Sequence, residues 1–335
     1  MKILGLGHRM SGVTFHRITL PLAYMNGVKG MVTDLPTIEM MNEGWDIVLF
    51  NRHCALDNDW NDVRGIGAKI VMDLDDDWIL PPNHMNYEAY LEKKPVIENN
   101  LREADLITTT NETLAEKIYP FNKNVLIIPN ALPYGHHQFT TEKKEDERVR
   151  IFWAGGCTHE HDLEILRNPL QRLTTFSDKI KMVIGGYTDS DPHSKYVWDR
   201  MFNSLTANKR LPYMKLSSLE PINYMQLYEY ADIMLVPLEK SEWHSCKSNI
   251  KILEAATKKV PVICSNVEPY ARDKDAPVFW VNSQKDWFVH LKDLILNPNK
   301  RIDYGEKLYE WAKENYDLIK VNEGRKAAFE NLIKA

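Results

Sequence analysis

Short apolar runs recur along the chain at strand length, and segments with helical spacing separate them. Residues 2–7, 45–50, 69–74, 104–108 and 125–128 read as strands of a first half. Residues 149–154, 180–185, 213–217, 233–236 and 260–265 read as strands of a second. Between them the pattern predicts a helix capped by Thr14 and running to about Met25, one opened by Pro95 and ending at Glu103, and one capped by Asn111. In the second half it predicts a helix from near His161, another over 248–259, and terminal helical spacing in Leu308, Trp311, Ala312 and then Ala328, Phe329, Leu332. Strands alternating with helices imply parallel sheets and an α/β class. Ala104-Asp105-Leu106-Ile107 and Ala231-Asp232-Ile233-Met234 open the same strand-helix-strand pattern, which suggests two copies of one architecture. The polar stretch 135–150 reads as the linker between them.

Chemistry concentrates in the second half. The stretch 231–265 is a βαβ unit whose polar loop, 239–246, delivers Lys247 to a helix start. Lys247, Lys251 and Glu254 stand at i, i+4 and i+7 and so share one helix face. Cations in a first turn oppose the helix dipole unless an anionic ligand reverses the sign; the plainer reading is a solvated face. Gly155-Gly156 follows the first strand of this half and lets backbone N–H groups approach a phosphate, and Gly185-Gly186-Tyr187 suits a base or ribose. In the first half, Asp73-Leu74-Asp75-Asp76-Asp77 closes a strand, where four carboxylates repel unless hydrated, paired or bound to a ligand. A cation site, a solvated turn and a wall that bonds acceptor hydroxyls are the readings open to it. Gly5-Leu6-Gly7-His8-Arg9-Met10 lacks the third glycine of a dinucleotide fingerprint. His8, Arg9, His16 and Arg17 are polar candidates beside that loop.

Composition narrows the classes. A chain of 335 residues with 44% hydrophobic content is enough for two cores. No apolar run reaches membrane-spanning length, and Met1 to Met10 enter a strand pattern directly, so a cytoplasmic protein without integral membrane association is expected. Cys54, Cys157, Cys246 and Cys264 lack disulfide or zinc spacing. Residues 1–150 carry 16 Lys and Arg against 22 Asp and Glu, and the remainder 26 against 25. That balance argues against nonspecific DNA or anionic-membrane binding.

Leu253-Glu254-Ala255-Ala256 followed by Val260-Pro261-Val262-Ile263 resembles the donor-binding signature of retaining GT-B glycosyltransferases of group 1, the family 4 type. Pro129-Asn130-Ala131 resembles the hinge of the same family. The resemblance implies two Rossmann-like domains whose parallel sheets face a central cleft. An acceptor domain would span 1–135, completed by a C-terminal helix at about 316–335 that crosses back after a break around 315–322. A nucleotide-sugar domain would span 149–315. The implied activity is that of a hexosyl- or pentosyltransferase using a UDP- or GDP-linked sugar, with retention, without a metal and without a further cofactor. Glu254 would bind the ribose hydroxyls, and Lys247 with Ser248 and Lys251 the diphosphate. Gly155, Gly156, Gly185 and Tyr187 would line the donor, and the loop containing Gly12 would approach the donor phosphates.

Two departures from the family pattern matter. Cys246 stands where a further Glu is usual, and His159 and His161 stand where Arg and Lys usually grip the diphosphate, which throws that role onto Lys247. Lys247 is then the leading catalytic candidate. In an inverting alternative Asp76, Asp77 or His16 would supply the base. A sugar-nucleotide epimerase, a hydrolase and a binding protein without catalysis remain competing readings. The acceptor stays open among glycans, small molecules, proteins and a modified DNA base, and the oligomeric state stays open with it.

Overall fold

Runs such as Ile47 to Phe50 and Ile233 to Val236 are buried along their whole length, as strands covered by helices on both faces must be. They build two six-stranded sheets in which every paired strand is parallel. The computed structural model describes residues 1–57, 59–189 and 192–335 and divides into two units. Unit 1 comprises Met1–Ala131, Ser245–Ser248 and Tyr316–Ala335; unit 2 comprises Leu132–His244 and Asn249–Asn315.

The sheet of unit 1 contains β1 (Lys2–Leu6), β2 (Lys29–Thr33), β3 (Ile47–Asn51), β4 (Lys69–Leu74), β5 (Leu106–Thr109) and β6 (Val125–Ile127), in the order β2-β1-β3-β4-β5-β6. On one face Ile18, Leu22 and Met25 pack with Phe329 of the terminal helix Leu318–Lys334 against Ile3, Ile47, Leu49 and Val71. The other face packs Trp60, Ile97, Leu101 and Leu114 from three helices, and Cys246 joins that cluster. The sheet of unit 2 contains β7 (Val149–Ala154), β8 (Ile180–Tyr187), β9 (Tyr213–Ser217), β10 (Ile233–Val236), β11 (Val262–Ser265) and β12 (Phe279–Val281), in the order β12-β11-β10-β7-β8-β9. Trp153, Trp198 and Trp287 lie together in a core packed on this sheet.

Several local expectations change. The two sheets share a class but differ in strand order, so they are not copies of one topology. β2 carries little apolar pattern, and β12, within the apolar run 278–281, adds a sixth strand to those that the pattern predicts for the second half. The first helical segment is capped by Ser11, whose Oγ accepts from the Thr14 N–H, and it passes through a π turn at Phe15–Thr19 before Leu20–Ala23. Pro95 lies inside the helix Tyr87–Glu103 rather than at its start. The helix expected from Ser248 begins at Ile250 and ends at Thr257, so Lys247 does not share its face with Lys251 and Glu254. Its preceding loop contains a short helix, Glu242–Ser245. The terminal segment breaks at Asp317, whose carboxylate caps Leu318–Lys334 by accepting from the N–H groups of Ile319 and Lys320. Among the described residues no helix is long and apolar enough to cross a membrane.

Candidate active site

Counted from its own first strand, the sheet of unit 2 has the order 3-2-1-4-5-6, with the reversal between β7 and β10. Open α/β sheets bind ligands beyond the carboxyl ends of their strands, beside such a reversal. β7 ends there in Ala154 and the Gly155-Gly156 turn, and β8 ends in Gly185-Gly186-Tyr187. The two turns touch: Gly155 N–H donates to the Gly185 carbonyl at 3.3 Å. Gly186 has φ +91°, and a Cβ on it would lie 2.5 Å from the Gly155 carbonyl oxygen. Lys251 reaches the same point. Its Nζ donates to the Ala154 carbonyl at 2.6 Å and lies 5.2 Å from the Trp153 ring centroid.

One turn further along the helix, Glu254 is buried and accepts a 2.5 Å hydrogen bond from Tyr228 Oη. Burial, and then the Glu254 charge, push the Tyr228 phenol well above its ordinary value, so it stays a donor. The Tyr187 ring packs on Trp198 and Phe202 with Lys215 Nζ 4.8 Å from its centroid, which leaves its backbone for any base. His159 is held by Asp162, with Nδ1 2.8 Å from Oδ2, and Asp162 Oδ1 accepts from the Glu239 N–H at 3.0 Å. His244 Nε2 lies 3.8 Å from the same carboxylate, so Asp162 ties the turn after β7 to the loop after β10. His161 is exposed.

The remaining candidates belong to unit 1. Lys247 Nζ is 3.0 Å from Asp76 Oδ2. Asn111 Nδ2 donates to the carbonyls of Cys246 and Lys247, and Asn130 Nδ2 donates to Ser248 Oγ at 2.7 Å. Asn130 Oδ1 in turn accepts from Arg17, so the hinge asparagine links Ser248 to a buried guanidinium. The four carboxylates are each paired: Asp73 with Arg17 at 2.8 Å, Asp75 with Arg52 at 2.9 Å, Asp76 with Lys247, and Asp77 with Lys117 at 2.7 Å. Burial would raise the Asp76 carboxyl, but Lys247 and Arg52 outweigh it and hold it below its ordinary value. Cys246 is fully buried against the core, with its thiol pushed up to about 12 by burial and by the Asp77 charge, so it supplies no substitute for an acidic side chain. His16 lies half-buried in the π turn with its ring edge-on to Phe15. Gly12 opens the first helix on an exposed edge, where an added Cβ would meet nothing within 4 Å.

Sequence reasoning missed Arg52, Lys117, Asn111's second role and Tyr228. Arg52 ends β3 beside the β1/β3 reversal of unit 1 with φ 59°, and its Nη1 bonds Tyr90 Oη. No local spacing announces these partners, because each lies at least 23 residues from the group it holds.

No family model matches the sequence, and no curated protein matches it. Solved structures do share its fold. Sucrose-phosphate synthase from Thermosynechococcus elongatus superposes with a TM-score of 0.71 at 10% identity, covering 100% of this chain and 99% of its own. The Anabaena protein HepE, solved in complex with UDP, gives 0.68 at 13% identity over 98% and 99%. A UDP-forming α,α-trehalose-phosphate synthase from Burkholderia xenovorans gives 0.63 at 14% over 88% and 75%. The fold is that of GT-B glycosyltransferase structures.

Proposed function

We propose that the protein is a glycosyltransferase that takes a sugar from a nucleoside-diphosphate sugar, with the nucleotide held by unit 2. The observation that carries this reading is the juxtaposition of Lys251 with the Gly155 and Gly186 turns, one helical turn from a buried Glu254 fixed by Tyr228. An amine beside backbone N–H groups suits a diphosphate, and an oriented carboxylate suits two vicinal ribose hydroxyls. Uridine is the preferred base on this reading, because HepE was solved with UDP and with UDP-glucose. The acceptor is a hydroxyl-bearing molecule.

The anomeric carbon loses its bond to the diphosphate oxygen and gains one to the acceptor oxygen, while the leaving phosphate takes the acceptor proton. Configuration is then retained, and the Lys251 amine stabilises the charge that develops on the leaving group. Turnover is expected without an added divalent cation, since each carboxylate of the acidic run is already held by a cationic side chain.

Incubation with UDP-glucose, alone and with acceptors of each class, tests the activity. UDP release that requires an acceptor supports transfer. Release without one indicates a hydrolase, an isomerised donor an epimerase, and binding without turnover a protein that only carries the nucleotide. Lys251→Met should weaken UDP binding by about 1.5–3 kcal/mol, roughly tenfold to a hundredfold. Calorimetry that finds equal affinity in this variant refutes the assignment of Lys251. NMR of the first-formed product reads retention directly.

A further inference from the structure

Cations of unit 1 that leave the surface bring carboxylates with them, as the Arg17, Arg52, Lys117 and Lys247 pairs do. Arg325, on the helix Leu318–Lys334, breaks this rule. It is 4% exposed, and among the described residues no carboxylate lies within 4.0 Å of it. Its guanidinium has five N–H donors, and its hydrogen bond goes through Nη1 to the amide oxygen of Asn322, one turn earlier. Asn322 is turned that way because its Nδ2 donates to the Pro21 carbonyl at 2.9 Å.

The charges that act on it offer no relief. They are Arg17, which opposes its positive charge, and Asp73. Asp73 already accepts from Arg17 Nε and Nη2, Asn51 Nδ2 and Thr108 Oγ1, so its oxygens are taken up by other donors. An uncompensated buried charge is costly. Burial, and then Arg17, push the Arg325 guanidinium down to about 9, which still leaves it protonated at neutral pH. None of its nitrogens is among the sealed, unpartnered side-chain atoms of the chain, so its unused edge borders accessible space.

We propose that the open edge of Arg325, beside Asn322 in unit 1, binds a small oxyanion, which supplies the missing negative charge. A phosphate or carboxylate group fits because a guanidinium edge presents parallel N–H donors to two oxygens. The group is either a free inorganic anion or the acidic substituent of a larger ligand. The site stands independently of sugar transfer.

Thermal melting of the full chain tests it, in inorganic phosphate against sodium chloride at equal ionic strength, with and without UDP to occupy the nucleotide site. Phosphate should raise the melting temperature of the wild type saturably, by on the order of a few degrees, and UDP should not abolish the rise. Arg325→Met should lose the response and melt in chloride alone at or above the wild type. Glucose, glucose 6-phosphate and glucuronate separate the sources: a free anion is the ligand if phosphate matches glucose 6-phosphate, and an acidic sugar if only the substituted sugars act. Equal responses in wild type and variant, or no response to any anion beyond chloride, overturn the proposal. Should Arg325→Met fail to fold, ³¹P line broadening of phosphate by the wild type with the nucleotide site saturated by UDP, competed by sulfate, decides: broadening supports the site and its absence rejects it.

Discussion

Two cations reach Asp76, and their pull sets how this residue answers to acid. With its folded pKa below the ordinary carboxylate value of about 4, Asp76 takes up a proton more readily in the unfolded chain. Its contribution to stability is therefore complete above about pH 4 and is lost as pH falls through the folded value. Asp76→Asn should cost stability near neutral pH, and the gap to wild type should close below about pH 4. Urea melts at stepped pH check this; a gap that stays constant down to about pH 3 rejects it. The same pairing explains why the acidic run misleads when read alone. Its partners Arg17, Arg52, Lys117 and Lys247 come from four distant parts of the chain, and like charges in sequence say nothing of what folds against them.

Elements with long apolar runs were legible: residues 69–74 and 149–154 read as strands from the sequence and are β4 and β7. β2, Lys-Gly-Met-Val-Thr, was not: it is an edge strand with no buried residue, and unlike β9, Tyr-Met-Lys-Leu-Ser, which alternates half-buried and exposed positions, it shows no alternation to mark it. Lys251 and Glu254 could be paired by helical spacing and resemblance. Lys247 was wrongly added to their face, because the helix starts at Ile250, while Asn111 and Asn130 hold 246–248 outside it.

Among the glycines of the candidate site, the turn geometry separates two. Gly186→Ala meets both a left-handed φ and a carbonyl at 2.5 Å, so it should destabilise by about 1–3 kcal/mol and weaken UDP binding. Gly12→Ala meets no atom within 4 Å and should change stability by less than about 0.5 kcal/mol. Denaturant melts and UDP titrations of both variants check the contrast, which fails if the two behave alike.

At the scale of the molecule, each unit has its own core and its own proposed chemistry, so damage to one should leave the other readable. Phe329 comes from the last helix yet is buried in unit 1 against Ile18, Leu22 and Val71. Phe329→Ala should lower the stability of unit 1 by about 3–5 kcal/mol while UDP affinity stays at the wild-type value. A loss of UDP affinity in the folded variant would contradict the separate assignment.

That last helix also dictates an order of events on the ribosome. Unit 1 includes residues 1–131 but also residues 316–335, which follow all of unit 2. At about 5–20 residues per second, roughly 10–40 s pass between the emergence of Ala131 and the end of the chain. For that time Ile18, Leu22 and Met25 have no Phe329 to cover them. Unit 2, drawn from 132–244 and 249–315, is complete before the terminal helix is synthesised. The half that is translated first is therefore the half that is completed last, and until residue 329 is made its apolar face lacks the side chain that covers it.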